Sequence, residues 1–298
     1  MASYIRGFTM VLLTVVLTSQ ATAQDPLSGS KSETANSVTA ELKSFTLTRG
    51  YQANLFADET DGVANPICMS WDPAGRLWVL VTAAYPQLKP LDKPNDKLLI
   101  LADTNADGRA DKTTIFADGL NMPTGFALGH GGAYIGQGND LLHLTDTDGD
   151  DKADMRRVLL TGFGTGDTHQ NINSFTWSPG GELLFCQGLH AFSRVETPWG
   201  IRRLDEHGSW RLRPRRLQLD GFRRSGGEGN PWGITFGNWG EPFVKGNGAG
   251  VYELLPGMVS TERIASFWGE EMKIGQTQVK SMIIELAESP HLPDEVQG

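Results

Sequence analysis

Short apolar runs alternate with clusters of glycine, proline, aspartate and asparagine along most of this chain. That alternation predicts many short strands and tight turns rather than helices. The plainest case runs from Asp167 to Gly188, where two apolar runs flank Ser178-Pro179-Gly180-Gly181. It predicts a strand, a tight turn and a second strand, with His169 just ahead of the first strand.

The same unit recurs. Asn65 to Val79 aligns with Asn171 to Phe185 without a gap, so that Trp177 falls on Trp71, Pro179 on Pro73 and Gly181 on Gly75. Asn230 to Val244 aligns again, and Met122 to Ile135 aligns with one deletion. The starts at 65, 122, 171 and 230 are separated by 57, 49 and 59 residues. A strand–turn–strand unit at roughly this spacing marks the blade of a β-propeller, an all-β fold whose small sheets shield each other's faces around a ring. Between these units lies a second repeat. Asp103-Thr104-Asn105-Ala106-Asp107-Gly108-Arg109-Ala110-Asp111 and Asp146-Thr147-Asp148-Gly149-Asp150-Asp151-Lys152-Ala153-Asp154 stand 43 residues apart. They are expected to cap the outer hairpins of two consecutive blades. The tryptophans at 71, 177, 232 and 239 are expected in the cores between blades, with Trp232 also placed to face a ligand.

The expected organisation is a signal peptide over 1–23, a flexible linker over 24–43 and a propeller over 44–298. Phe45 to Thr48 and Tyr51 to Phe56 read as strands, and so does Val279 to Leu286. Four full blade starts and part of a fifth are legible. The sequence stops at Gly298 where a further strand is due, so the expectation is an incomplete propeller, a fragment of a longer protein.

Composition supports this and narrows the partners. The chain has 298 residues, of which 39% are hydrophobic and 36 are glycine, enough to bury a core. Its net charge of −9 argues against nucleic acid and anionic membranes as partners. Arg6, the apolar run Phe8 to Leu17 and the small residues Ala21-Thr22-Ala23 form an export signal too short to span a bilayer. The mature chain is therefore expected to be periplasmic or secreted. Export permits disulfides, but Cys68 and Cys186 fall in non-neighbouring repeats and are expected to be free buried thiols.

Asp167-Thr168-His169 with Trp177-Ser178-Pro179, the segment Gly188 to Val195, and Asn230-Pro231-Trp232-Gly233 carry a resemblance. The chain resembles the N-terminal domain of the planctomycete and verrucomicrobial "membrane-bound dehydrogenase" proteins. That domain is similar to soluble quinoprotein glucose and sorbosone dehydrogenases. The resemblance implies a six-bladed propeller that moves hydride from a sugar or alcohol to pyrroloquinoline quinone. It implies His169 as general base and Asn230 at the quinone; Trp232, beside Asn230, is a further candidate for the cofactor. It also implies helical repeats and a haem-binding cytochrome c domain beyond this chain, which itself has no Cys-x-x-Cys-His. Two departures stand out. Gly180 replaces an aspartate in the turn after His169, and Gly229 stands where the family carries an arginine before Asn230.

Each candidate has a plainer reading. His169 is either a base, with Asp167 to orient it, or a histidine that lines the channel and bonds a neighbouring loop. Asp103, Asn105, Asp107 and Asp111, and Asp146, Asp148, Asp150 and Asp154, offer hard oxygen ligands at positions 1, 3, 5 and 9 of their loops. They suit Ca²⁺, the first loop better because Gly108 holds position 6; otherwise they are ordinary Asp/Asn/Gly turns. Arg211, Arg213, Arg215, Arg216, Arg223 and Arg224 either hold an anion, such as a quinone carboxylate or a sulfated glycan, or form a solvated strand. The two functions consistent with the residues are a sugar or alcohol dehydrogenase domain and a non-catalytic module that binds glycans or protein.

Overall fold

The computed structural model describes residues 37–86, 88–223, 230–238, 240, 242–246 and 252–254. The described residues form antiparallel sheets that follow one another along the chain. The first blade contains β1 (Pro66–Trp71), β2 (Leu77–Val81), β3 (Asp96–Ala102) and β4 (Lys112–Leu120) in that order. The second contains β5 (Pro123–Gly129), β6 (Gly132–Gln137), β7 (Asp140–Thr145) and β8 (Met155–Thr161). The third joins β9 (Asn173–Trp177) and β10 (Leu183–Gln187) to later strands. A hairpin of β11 (Phe192–Val195) and β12 (Arg202–Asp205) intervenes before β13 (Gly208–Arg213) and β14 (Gln218–Arg223) complete the blade. The fourth is seen as β15 (Gly233–Phe236), β16 (Pro242–Lys245) and β17 (Tyr252–Leu254).

The four repeat starts are thus the first two strands of four blades. The turn between those strands is the same device each time. Gly75, Gly131, Gly181 and Gly240 have φ of 77°, 80°, 77° and 80°. In three blades that glycine's N–H bonds back three residues, to Asp72, Ser178 or Gly237. Only glycine adopts this left-handed turn without strain, which is why the repeat keeps it.

The blades pack face to face. β2 reads Leu-Trp-Val-Leu-Val and is buried throughout, because both faces of its sheet are covered. Trp78 and Leu80 join Leu98, Ile100, Phe126, Ile135 and Leu142 in the core between the first two blades. Leu77, Val79 and Val81 face the other way, where Phe56, Ala57 and Val63 cover them. The core between the second and third blades gathers Tyr134, Leu141, Phe163, Ile172, Phe185 and Trp210. Leu184, Cys186 and Val244 join the third to the fourth. Full burial of a side chain such as Phe185 contributes about 2–3 kcal/mol.

Three expectations are corrected. Residues 38–43 were expected within a linker, but Val38–Ser44 form a helix, α1, whose cap Ser37 Oγ accepts from the Ala40 N–H. Neither Phe45 to Thr48 nor Tyr51 to Phe56 forms a strand. Phe56 acts instead through its ring, packed on Trp71, and through its carbonyl, which accepts from Ala110 N–H. The tryptophans divide. Trp71 and Trp177 hold the same position, opposite Leu77 and Leu183. Trp177 packs between blades, whereas Trp71 is exposed and Trp232 precedes β15 rather than sharing that position. Trp239, the segment 279–286 and the proposed signal peptide lie outside the described residues. Both cysteines are free, Cys186 buried and Cys68 half-buried.

Candidate functional site

In each blade the first strand begins, and the second ends, at the same end of the sheet. Loops that precede β9 and β15 and that follow β2 and β10 therefore collect there. This end carries His169, Asn230 and, from the first blade, Tyr85.

His169 sits in a single 3-10 turn, Thr168–Gln170, capped by Asp167. One oxygen of Asp167 accepts from the His169 backbone N–H at 3.0 Å and lies 3.0 Å from its Nδ1. With the imidazole neutral, Nδ1–H donates to that carboxylate and the Nε2 lone pair is the acceptor left over. The His169 side chain is 58% exposed. The Tyr85 ring meets it edge-on, with centroids 5.3 Å apart. Burial, and then the Asp167 charge, push the Tyr85 phenol above its ordinary range, so it remains a hydroxyl donor at neutral pH. Gln170 is buried behind His169, and its carbonyl accepts from Gly188 N–H. A Cβ at Gly188 would stand 1.9 Å from Gln170 Oε1, so only glycine lets the two loops meet. Neither Gln170 Oε1 nor Asn171 Oδ1 has a hydrogen-bond donor among the described residues.

Asp96 holds the Tyr85 loop. It is 1% exposed and accepts from Thr82 Oγ1, Ala84 N–H and Met122 N–H at 2.8, 3.1 and 2.8 Å. It thereby ties that loop to the start of the second blade. Sequence reasoning missed both Tyr85 and Asp96. The available signal was length: the first blade spends residues 82–95 between its second and third strands, where the second blade spends 138–139.

Asn230 is placed at this end, but its Oδ1 is committed to Leu189 N–H at 3.0 Å. Trp232 is 49% exposed. Gly229, where the resemblance calls for an arginine, lies outside the described residues.

The aspartate loops join β3 to β4 and β7 to β8, at the outer hairpins as expected. Their geometries differ. In the first, both oxygens of Asp111 face the Thr104 N–H and hydroxyl, and Asp103 accepts from Asp107 and Gly108 N–H groups. Asn105 and Asp107 bond each other. In the second, Asp146, Asp148 and Asp154 present ligand oxygens within 4.8 Å of one another, while Asp150 pairs with Lys152. Asp151 takes φ 65° and turns its carboxylate away to Arg76 of the first blade. That turn removes the objection of a missing glycine at position 6. Three backbone N–H groups on Asp146 hold its carboxyl below the usual range, so it is ionised at neutral pH.

The arginine run is also divided. Arg211 and Arg213 pair with Asp220 and Glu182 within the third blade. Arg215 and Arg216 are exposed. Arg223's side chain and Arg224 lie outside the described residues.

Successive four-stranded sheets packed face to face, with loops from several of them meeting at one end, define a β-propeller domain with a loop-built site. The chain belongs to the family DUF7133, a domain of unknown function, which matches residues 37–288. No curated protein matches its sequence. Among solved structures, it is similar to virginiamycin B lyase from Staphylococcus aureus at 12% identity, with 65% of this chain and 53% of that one covered and a TM-score of 0.40. It is also similar to a gluconolactonase from Xanthomonas campestris, at 18% identity, 61% and 55% coverage and TM-score 0.40. A third likeness is to a protein from Thermus thermophilus assigned as an oxidoreductase (glucose dehydrogenase), at 17% identity, 67% and 63% coverage and TM-score 0.40. The chain thus spans 53–63% of the length of these structures.

Proposed function

We propose that this domain is an exported propeller that binds a sugar or related alcohol at the end bearing His169. His169, fixed by Asp167, takes the proton from a substrate hydroxyl as that carbon is oxidised. The observation that supports this reading is the 3.0 Å contact between His169 Nδ1 and Asp167 on an otherwise exposed imidazole. It leaves one basic nitrogen for a hydroxyl, with the Tyr85 phenol alongside as a donor. A neutral polyhydroxylated ligand suits a site of one imidazole, one carboxylate and one phenol.

Oxidation also needs a hydride acceptor, and the resemblance names pyrroloquinoline quinone. The residues present meet this only in part. Asn230 and Trp232 stand at the right end, but Asn230 Oδ1 is already engaged and Gly229 offers no cation to the quinone's acid groups. They do not complete a quinone site, so the acceptor would have to be held by groups beyond the described residues. The membrane-bound dehydrogenase resemblance supplies a route onward for electrons, through a cytochrome c domain. Ca²⁺, in this reading, sits in the Asp146–Asp154 loop as a structural ion. The absent arginine favours one rival, a propeller that holds a glycan or a partner protein without turning it over.

The test is dye reduction by the purified protein with pyrroloquinoline quinone, Ca²⁺ and a panel of aldoses, beside calorimetric titration of the same sugars. Turnover that falls about 10²-fold or more in His169→Asn, with sugar affinity retained, supports the base. Sugar binding without turnover selects the rival. Absence of both overturns the proposal.

A further inference from the structure

The β11–β12 hairpin is an insertion that the blade pattern does not require. Arg194 N–H bonds Gly162 O and Glu196 N–H bonds Thr161 O, so the hairpin leans on the edge of the second blade. Its other strand packs beside β14, where Arg202 Nε donates to Leu219 O. It bridges the rims of two blades.

Its surface differs from the rest of the chain in charge. Residues 194–216 hold seven arginines against Glu196, Asp205 and Glu206, in a chain whose net charge is −9; of these, Arg194 pairs with Asp205, and Arg211 and Arg213 pair with Glu182 and Asp220. Arg194 and Arg203 stand directly opposite each other across the hairpin. Arg215 and Arg216 follow β13 in a short 3-10 turn, exposed and without an ion pair among the described residues.

An aromatic side chain reaches the turn that carries Arg215 and Arg216. Trp199 is at the hairpin tip, in a tight turn held by Thr197 Oγ1, which accepts from Trp199 N–H and donates to Gly200 O. The indole Nε1 donates to Arg216 O at 2.9 Å, so the plane of the ring is fixed. Trp199 is nevertheless 56% exposed, and Ile201 in the same turn is 52% exposed. A pinned, exposed indole held on the backbone of an exposed arginine is an arrangement that can stack a sugar ring while nearby cationic side chains neutralise an acidic substituent on it.

We propose that the face formed by Trp199, Arg215 and Arg216 binds an anionic polysaccharide, one whose sugars carry sulfate or carboxylate. Charge complementarity selects the acid group, and the fixed indole selects a sugar ring over a bare polyanion. The surface is separate from the His169 end, so its failure would leave that proposal untouched.

Affinity electrophoresis of the full chain in gels with dextran sulfate, polygalacturonate, neutral dextran or polyphosphate tests this. Retardation by dextran sulfate or polygalacturonate but not by dextran is expected, and whichever of the two dominates identifies the acid group. The Arg215→Ala/Arg216→Ala pair should weaken it about tenfold or more with melting temperature unchanged, because both side chains are exposed, and Trp199→Ala should weaken it about fivefold. Equal retardation by polyphosphate with no effect of Trp199→Ala would reduce the face to simple ion exchange and overturn the proposal. So would no retardation by any charged polymer.

Discussion

The indole Nε1 of Trp177 donates a 2.7 Å hydrogen bond to the carbonyl of Leu128, the residue that holds Trp177's own repeat position one blade earlier. The ring also fills the space over Gly129, where an added Cβ would come within 2.7 Å of it. One side chain thus fixes both the spacing and the register of two neighbouring blades.

Trp177→Ala should destabilise the domain by about 3–5 kcal/mol, because it opens a cavity between sheets that cannot collapse. Trp177→Phe should cost about 1–2 kcal/mol, mainly for the Leu128 carbonyl left without its donor. Gly129→Ala should be harmful in the wild type and less so in Trp177→Ala. Urea unfolding of the three single variants and the double variant measures the coupling.

Arg76 joins the first blade to the second. It bonds Asp72 in its own turn and Asp151 in the aspartate loop, each at 2.7 Å. Arg76 and Asp151 are both partly exposed, so a double-mutant cycle of Arg76→Ala and Asp151→Asn should return only about 0.5–1 kcal/mol.

Asp72 predicts an acid-sensitive step. Burial would raise its carboxyl, but Trp78 Nε1–H, the Arg76 N–H groups and the Arg76 charge outweigh this and hold it below the ordinary value of 3.8. Its stabilisation is therefore complete above that value and is lost as pH falls through the lower folded one. Asp72→Asn should be less stable at pH 7 and should lose less on acidification below pH 4. Urea midpoints between pH 7 and pH 2 would show this; parallel curves for the two proteins would contradict it.

Ca²⁺ added to metal-free protein should raise the melting temperature, by an amount equivalent to about 2.7 kcal/mol at a concentration one hundred times Kd. Asp148→Asn should abolish the effect, and Asp107→Asn in the first loop should not, because the carboxylates converge only in the second. Differential scanning calorimetry with and without chelator decides it.

Gly188→Ala should disturb the proposed site from behind. The new methyl displaces buried Gln170, at a cost of about 1–3 kcal/mol, and with it the turn that carries His169. Sugar binding should weaken more than global stability. Calorimetry of ligand titration and of unfolding, run on the same variant, separates the two.

The blade starts were legible because they are local. A strand, a left-handed glycine turn and a strand need only short-range chemistry, and Gly75, Gly181 and Gly240 announce it. The outer aspartate loops were legible for the same reason. What stayed hidden depends on contacts distant in sequence. Tyr85 reaches His169 across two blades with no shared motif, and Asp151 finds Arg76 75 residues away. The helix Val38–Ser44 was missed because its signal is a cap, Ser37, rather than an apolar stripe.

By itself the sequence determined the repeating sheet, its turns and the candidates His169 and Asp167, since these follow from residue type and spacing. Only the tertiary structure decided which aspartate loop gathers its carboxylates, which arginines are spent on internal pairs and which face solvent. Those outcomes turn on which distant surface each side chain meets when the sheets close on one another, and no pattern along the chain encodes that distance.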